Sequence, residues 1–286
     1  MDGKKLSPLV DARDLRTLMK QPGVVIVDAR GGADSSQRYM EEHLAGAVFF
    51  DLETELSHKG PDASIGGRHP LPDPRDFGSR LGKAGINPTS HVLVYDDKAG
   101  ANAAARFWWM MKALGHLRVQ VIDGGLTALR EEGLLQLSAT AREYEIAPYP
   151  VSAWKLPLVD IETVDRVRNQ GDWLVIDVRE EYRYRGEREP IDLIAGHIPG
   201  AVNACFLNNL TPTGRFRDQK SLASQFKSLT GDRNVDKIIV HCGSGVTACH
   251  TILAFSAAGM GIPALYVGSW SEWSRNPKTV ATGDKP

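Results

Sequence analysis

One stretch of the chain, residues 237–259, reads KIIVHCGSGVTACHTILAFSAAG. It begins with a short apolar, β-branched run that is typical of a buried strand. A loop of small and polar residues follows, and the apolar segment from Thr247 onward predicts a helix that ends at a glycine. In an α/β sheet, ligands bind at the carboxyl ends of the parallel strands. Topology alone therefore places His241 and Cys242 in a functional position.

The pattern of strands and helices occurs twice. The segment VVIVDAR at 24–30 reappears as WLVIDVR at 173–179, and HLAGAVFFD at 43–51 reappears as HIPGAVNAC at 197–205. Alternating strands and helices predict a mostly parallel sheet flanked by helices. The sequence therefore predicts an α/β fold made of two tandem copies of one domain.

Domain boundaries follow from a change in composition between the copies. The stretch at 138–157 is rich in Ala, Pro and Ser and has weak periodicity, as expected of a linker. We place the first domain at residues 1–140, the linker at 141–157 and the catalytic domain at 158–286.

Composition narrows the class of protein. The 286 residues carry a net charge of −1, so no basic field marks a nucleic-acid partner. No apolar run approaches the ~18 residues of a membrane span, and the N-terminus lacks an apolar signal core. Three cysteines, Cys205, Cys242 and Cys249, are an odd number and not a disulfide framework. We expect a cytoplasmic protein with at least one functional thiol.

The loop after the strand is suited to a reactive cysteine. Gly243 and Gly245 let the backbone curl, so that several amide N–H groups point inward at the start of a helix. The amides and the helix dipole both favour a thiolate, which makes Cys242 a candidate nucleophile near neutral pH. The amides from Gly243 through Val246 to Thr247 are also placed to stabilise an anion or a persulfide. The alternative is a buried structural cysteine.

Two other kinds of site are weaker interpretations. A metal site would use His241, Cys242, Cys249 and His250, but adjacent helical residues point about 100° apart and no CxxC pair occurs. A phosphatase loop would close with an arginine that grips phosphate. Ala248 occupies that position, and the loop itself has no cation. This counts against a phosphatase without excluding it.

The first copy has no thiol in the matching loop. That loop reads YDDKAGAN at 95–102, with Asp96 at the cysteine position. We therefore expect the first domain to have a structural role and the second to carry the chemistry.

These motifs resemble a known family. The tandem copies, CGSGVTACH at 242–250, GSWSEW at 268–273 and RFWWMMKALGH at 106–116 resemble the two-domain rhodanese family of sulfurtransferases over roughly residues 6 to 277. The resemblance implies that a sulfane sulfur passes from a donor to the cysteine as a persulfide and then to a thiol or to cyanide. It implies no metal or organic cofactor.

The loop sequence implies a donor within that family. In thiosulfate sulfurtransferases the cysteine loop resembles CRKGVT, with two basic residues for a dianionic donor. In 3-mercaptopyruvate sulfurtransferases it resembles CG[ST]GVT. This chain has Gly243 and Ser244 where the cations would stand. The implied donor is 3-mercaptopyruvate, and thiosulfate remains the alternative.

The resemblance also implies an acid–base relay. In the mercaptopyruvate group a loop serine works with a histidine and an aspartate. Ser244 matches the serine, His69 in RHPLP matches the histidine and Asp51 in VFFDL matches the aspartate. In this relay Asp51 orients His69, and His69 polarises Ser244. The alternatives are a solvated loop histidine at 69 and a helix-capping aspartate at 51.

A keto-acid carboxylate also needs cations, preferably arginines. Family alignment implies Arg183 as the first. The second family position is Pro190 here, and Arg188, two residues away, is the candidate substitute. Arg185 is read as part of a solvated loop, and Arg179 as a structural partner of the strand aspartate.

The resemblance thus implies a sulfurtransferase whose partners are a small sulfur donor and an acceptor thiol, such as thioredoxin or a small thiol. Three alternatives stay open: thiosulfate as the physiological donor, a persulfide carrier that depends on a partner protein, and a phosphatase.

Overall fold

The computed structural model describes residues 6–134 and 145–286. The end of the predicted first domain and the start of the predicted linker, at 135–144, lie outside the described residues. The described chain forms two compact units, and residues 58–71, which the sequence assigns to the first domain, belong to the second unit. The first unit contains residues 6–57, 72–134, 145–155 and 213–215, and the second contains 58–71, 156–212 and 216–286.

The first unit is built on a parallel sheet. Its strands are β1 (Leu9–Val10), β2 (Val24–Arg30), β3 (Val48–Asp51), β4 (His91–Tyr95) and β5 (Val119–Ile122). Its helices are α1 (Leu15–Leu18), α2 (Ser35–Glu41), α3 (Pro74–Lys83), α4 (Ala103–Ala113) and α5 (Gly125–Glu131), with a 3₁₀ turn at Ala12–Asp14. The strand order is β1-β5-β4-β2-β3.

The second unit repeats this plan. Its strands are β6 (Leu158–Val159), β7 (Leu174–Asp177), β8 (Val202–Asn203), β9 (Ile238–His241) and β10 (Ala264–Tyr266). Its helices are α6 (Ile161–Val167), α7 (Glu181–Tyr184), α8 (Gln219–Thr230), α9 (Thr247–Ala257) and α10 (Ser269–Trp273), with 3₁₀ turns at Phe206–Asn209 and Val235–Lys237. The order β6-β10-β9-β7-β8 is that of the first sheet, and all strand pairings named for both sheets are parallel.

The central strands are apolar because both faces of each sheet are covered. All residues of β4 and of β9 are buried, as parallel sheets flanked by helices require. Helix α9 is buried from Ala248 to Phe255. The matching sheets confirm the predicted fold of two α/β copies.

The DAR and DVR repeats form equivalent buried ion pairs. In the first unit, Arg30 donates from Nε and Nη2 to Asp28 at 2.7 and 2.6 Å. In the second, Arg179 Nη2 donates to Asp177 at 2.6 Å and to the Gly196 carbonyl at 2.7 Å. Both carboxylates are fully buried, and the structural role expected of Arg179 is confirmed.

The HLAGAV and HIPGAV repeats also form equivalent structures. The His43 ring stacks on Tyr39 with the centroids 3.9 Å apart, and His197 stacks on Tyr184 at 3.7 Å. Each histidine Nδ1 also lies within 2.8 Å of the main-chain oxygen of its tyrosine. These two histidines therefore stabilise the folds of their units and are not part of the site at Cys242.

His250 on α9 is a buried ionisable group in an apolar setting. Its ring stacks on Phe216 with the centroids 4.5 Å apart and meets the edge of Phe206 at 5.8 Å. Within the described part of the chain, neither ring nitrogen has a hydrogen-bond partner. Burial lowers the pKa of His250 from 6.5 to about 3, so the folded protein holds a neutral imidazole.

This burial makes stability depend on pH. Below pH 6.5 the unfolded chain binds a proton at His250, whereas the folded chain does not until about pH 3, so the free energy of unfolding falls as the pH is lowered through this window. Between pH 7 and pH 5 this one group accounts for a loss of up to about 2 kcal/mol.

The variant His250→Leu should therefore lose less stability than the wild type between pH 7 and pH 5, because it removes one titrating group. Urea unfolding of both proteins at each pH measures the two slopes. The control is His58→Gln, which alters an exposed histidine and should keep the wild-type slope. Equal slopes for the wild type and His250→Leu would contradict a buried neutral imidazole.

Candidate active site

The cysteine loop joins β9 to α9. The strand ends at His241, and the helix begins at Thr247 as predicted. Gly245 has a φ of +73°, and a Cβ there would lie 2.4 Å from the Val267 carbonyl oxygen. Glycine is therefore required at this turn on both conformational and steric grounds.

The start of α10 fixes the cysteine end of the loop. The Cys242 amide donates to Ser269 Oγ at 3.1 Å. The Trp270 amide donates to the Cys242 carbonyl at 3.0 Å, and the Ser271 amide donates to the Gly243 carbonyl at 2.8 Å. These bonds fix the start of the GSWSEW segment against the loop.

The loop amides have the arrangement expected of an anion cradle. Among the described residues, the backbone N–H groups of Gly243, Ser244 and Val246 donate to no protein group. Buried amides normally have partners, so this loop is suited to an anion or to the outer sulfur of a persulfide.

The equivalent loop of the first unit binds a carboxylate of its own. Asp96 follows β4 and is fully buried. Its Oδ1 accepts from the amides of Lys98 and Gly100 at 2.9 and 2.7 Å, and its Oδ2 accepts from those of Asn102 and Ala104 at 3.3 and 3.1 Å. Burial raises the pKa of Asp96, and the amide donors oppose that rise. The duplicated loop can thus bind an anionic group through main-chain amides.

The predicted serine and histidine are in contact. His69 Nδ1 lies 2.8 Å from Ser244 Oγ, and Ser244 and Cys242 are 7% and 2% exposed. The pair therefore has the geometry for moving a proton beside Cys242. The preceding His241 is buried, and burial lowers its pKa, so it is neutral at pH 7.

Asp51 belongs to the first unit, and its described contacts are local. Its Oδ1 accepts from the amides of Glu53 and Thr54, both at 2.9 Å, and its Oδ2 accepts from Ser35 Oγ at 2.5 Å. These bonds cap a turn, whereas the alternative interpretation expected Asp51 to cap a helix, and residues 52–55 form no helix. The orienting of His69 by Asp51 stays a prediction.

Arg183 is buried near the loop and forms salt bridges with Glu180, Glu189 and Asp192. Its Nη2 lies 2.8 Å from Glu189 Oε1 and 3.4 Å from Asp192 Oδ2. Burial alone would lower the pKa of Arg183, but its pairing with Glu189 outweighs burial and raises the pKa. A permanent cation is thus held beside Gly243, since Arg183 Nη2 is 3.4 Å from the place a Cβ at 243 would take.

A second guanidinium, which the sequence reasoning missed, lies at the same place. Arg68 Nη2 is 3.2 Å from the position of a Cβ at Gly243, and Arg68 pairs with Asp192. Its position next to His69 is the signal that would have found it. The argument against a phosphatase was based on the loop residues alone, which include no cation. The structure brings two cations, Arg68 and Arg183, to the loop from other segments.

The remaining candidate arginines lie elsewhere. Arg188 is exposed. Arg185 pairs with Glu181, Glu187 and Asp284, all partly or largely exposed, as expected of a solvated loop residue.

No group of three or more His, Cys, Asp and Glu side chains in the described part of the chain is arranged to hold a metal ion. No helix within residues 6–134 and 145–286 has the length and apolar character to cross a bilayer.

The described residues thus form two α/β units of one plan, with Cys242 in the loop between β9 and α9 of the second. The family model described as Rhodanese-like domain matches residues 11–132 and 160–276. The probable 3-mercaptopyruvate sulfurtransferase of Pseudomonas aeruginosa is 40% identical over 287 residues, which cover 96% of this chain and 98% of that protein. The thiosulfate sulfurtransferase of Rattus norvegicus is 34% identical and covers 96% of this chain and 93% of its own length.

Solved structures agree with these matches. The 3-mercaptopyruvate sulfurtransferase from Leishmania major superposes with a TM-score of 0.81 at 28% identity, covering 95% of this chain and 75% of that one. SseA from Escherichia coli superposes with a TM-score of 0.76 at 30% identity, covering 93% and 100%. The chain belongs to the rhodanese family, which confirms the resemblance drawn from its motifs.

Proposed function

We propose that this chain is a sulfurtransferase that takes sulfur from 3-mercaptopyruvate onto Cys242. The contact between Ser244 Oγ and His69 Nδ1 at 2.8 Å carries this proposal. Ser244 stands at a loop position where thiosulfate sulfurtransferases have a basic residue, and His69 contacts it there, so the two side chains can transfer a proton. The relatives named for 3-mercaptopyruvate support the same donor.

The proposed first half-reaction conserves charge and atoms. The Cys242 thiolate attacks the donor sulfur, an S–S bond forms and the C–S bond breaks. The bonding electron pair leaves with the carbon as the enolate of pyruvate. A proton delivered through Ser244 and His69 converts the enolate into pyruvate, and the amides of Gly243 and Val246 stabilise the persulfide.

In the second half-reaction an acceptor takes the outer sulfur. An acceptor thiolate, from thioredoxin or a small thiol, attacks that sulfur and the Cys242 thiolate leaves. With cyanide the product is thiocyanate. We propose the cytoplasm as the location, because the thiolate must stay reduced between turnovers.

Thiosulfate is the second candidate donor. The observation in its favour is the pair of guanidinium groups, Arg68 and Arg183, within 3.5 Å of a Cβ position at Gly243. Two cations suit a dianion, and a relative named thiosulfate sulfurtransferase matches 96% of this chain in sequence.

Steady-state kcat/KM for both donors, with cyanide as acceptor, tests the proposal. We expect 3-mercaptopyruvate to be preferred by about tenfold or more. We also expect Ser244→Ala to lower kcat by roughly 10²-fold with 3-mercaptopyruvate and much less with thiosulfate, because sulfite leaves as a stable anion and needs no proton on carbon.

The control is Ser228→Ala, which removes an exposed hydroxyl on α8 and should leave both donors unaffected. A wild-type preference for thiosulfate would overturn the donor assignment. An equal loss with both donors in Ser244→Ala would overturn the proton-transfer role.

A further inference from the structure

The family position for a second substrate-binding arginine holds no arginine in this chain. The aligned position is Pro190, and the nearby substitute Arg188 is exposed. A carboxylate beside the nucleophile needs cations that lie at the loop. In the second unit, the guanidinium groups at Gly243 come from Arg183 and from Arg68.

A buried carboxylate positions both arginines. Arg68 donates from Nε to Asp192 Oδ1 at 3.0 Å and from Nη2 to Oδ2 at 3.3 Å. Arg183 Nη2 reaches Oδ2 at 3.4 Å, and Arg275 Nη1 reaches Oδ1 at 3.1 Å. The Asp192 side chain has no exposed surface. One carboxylate thus contacts three guanidinium groups, of which Arg183 is also paired with Glu189.

The backbone of the 68–69 segment is fixed too. The Arg68 amide donates to Ser271 Oγ at 3.1 Å, and Ser271 in turn binds the Gly243 carbonyl through its own amide. The next residue, His69, contacts Ser244. Two consecutive residues therefore bring a cation and a proton-transfer group to the loop.

Arg68 retains the capacity to bind a ligand. A guanidinium has five N–H donors, and the bonds to Asp192 use the one on Nε and one of the two on Nη2. The Arg68 side chain is 26% exposed, against 8% for Arg183. It is thus the more accessible of the two cations at Gly243.

We propose that Arg68 is the second cation of the donor site and binds the carboxylate of the sulfur donor together with Arg183. This rests on the proposed function for its substrate, an α-keto acid. Gly243 is part of the same arrangement, because a side chain there would meet both guanidinium groups.

Alkylation of Cys242 tests the proposal without requiring turnover. Iodoacetate carries a carboxylate close to its reactive carbon, and iodoacetamide is its neutral counterpart. The ratio of their rate constants at Cys242, followed by peptide mass spectrometry, reports the cationic character of the site. Changes in thiolate content or in loop access affect both reagents and cancel in the ratio.

We expect Arg68→Gln to lower the iodoacetate-to-iodoacetamide ratio by about tenfold. It should also raise KM for 3-mercaptopyruvate by about tenfold with kcat within about twofold. The control Arg166→Gln, an exposed arginine on α6, should keep the wild-type ratio. An unchanged ratio in Arg68→Gln, or an equal fall in Arg188→Gln, would overturn the proposal.

A second variant, Arg68→His, tests the proposal if Arg68→Gln does not fold. In Arg68→His the side chain is charged at about pH 5.5 and neutral at about pH 8.5. Its ratio, divided by the wild-type ratio at each pH, should be several-fold higher at the lower pH, and a pH-independent quotient would overturn the proposal. If the wild type turns over neither donor but the iodoacetate-to-iodoacetamide ratio still falls in Arg68→Gln, the proposed function is wrong. The role of Arg68 in binding an anion at Cys242 is then still supported.

Discussion

Replacing Cys242 by serine is expected to abolish sulfur transfer, with kcat/KM falling by about 10⁴-fold or more for either donor. A serine hydroxyl is not ionised near neutral pH, and it cannot form the S–S bond that stores the sulfur. Serine is nearly isosteric, so the hydrogen bonds of the residue 242 backbone to Ser269 and Trp270 are retained. The loss should therefore be chemical, with an unchanged unfolding midpoint.

The persulfide itself gives the second measurement. Mass spectrometry of the wild type after treatment with donor alone should show one added sulfur atom on the peptide that contains Cys242. Cys249→Ser and Cys205→Ser are the matched controls, because both remove buried thiols, and they should still carry the added sulfur. An added sulfur in Cys242→Ser would assign the carrier role to another cysteine.

Asp192→Ala is expected to cost about 3–5 kcal/mol of folding free energy, because it leaves three guanidinium groups without the buried carboxylate that pairs them. We expect the thermal midpoint of the second unit to fall by roughly 6–20 °C. Scanning calorimetry resolves this effect, because the two compact units need not unfold together.

The matched control is Asp232→Ala. Asp232 also pairs with a cation, Lys227, but its side chain is 99% exposed. Exposed ion pairs contribute little, so its midpoint should stay that of the wild type. A small effect of Asp192→Ala would mean that water or Glu189 compensates the arginines, and the positioning role of Asp192 would then be refuted.

Local patterns predicted much of this molecule. The apolar runs at β2 and β9, the helix start at Thr247 and the paired DAR and DVR motifs all depend on residues close in sequence. The contact of His69 with Ser244 spans 175 residues, and it was predicted only through the family resemblance.

What the sequence did not predict depends on packing between distant segments. Residues 58–71 pack with the second unit, and the Arg68–Asp192 pair joins residues 124 apart. No periodicity or local motif encodes that pairing. The family resemblance therefore predicted one of the two cations at Gly243, Arg183, and the sequence reasoning missed the other, Arg68.

Asp96 affects how many dissolved anions the chain can bind. A carboxylate attached to the same loop has an effective concentration far above that of any solute, so sulfate, phosphate or a sulfur donor cannot displace it from the first unit. Titration with such anions should saturate at one equivalent per chain, despite the duplicated architecture. The two loops thus share one backbone design, but the amides of the first bind a carboxylate of the chain itself, whereas we propose that those of the second bind an anion from solution.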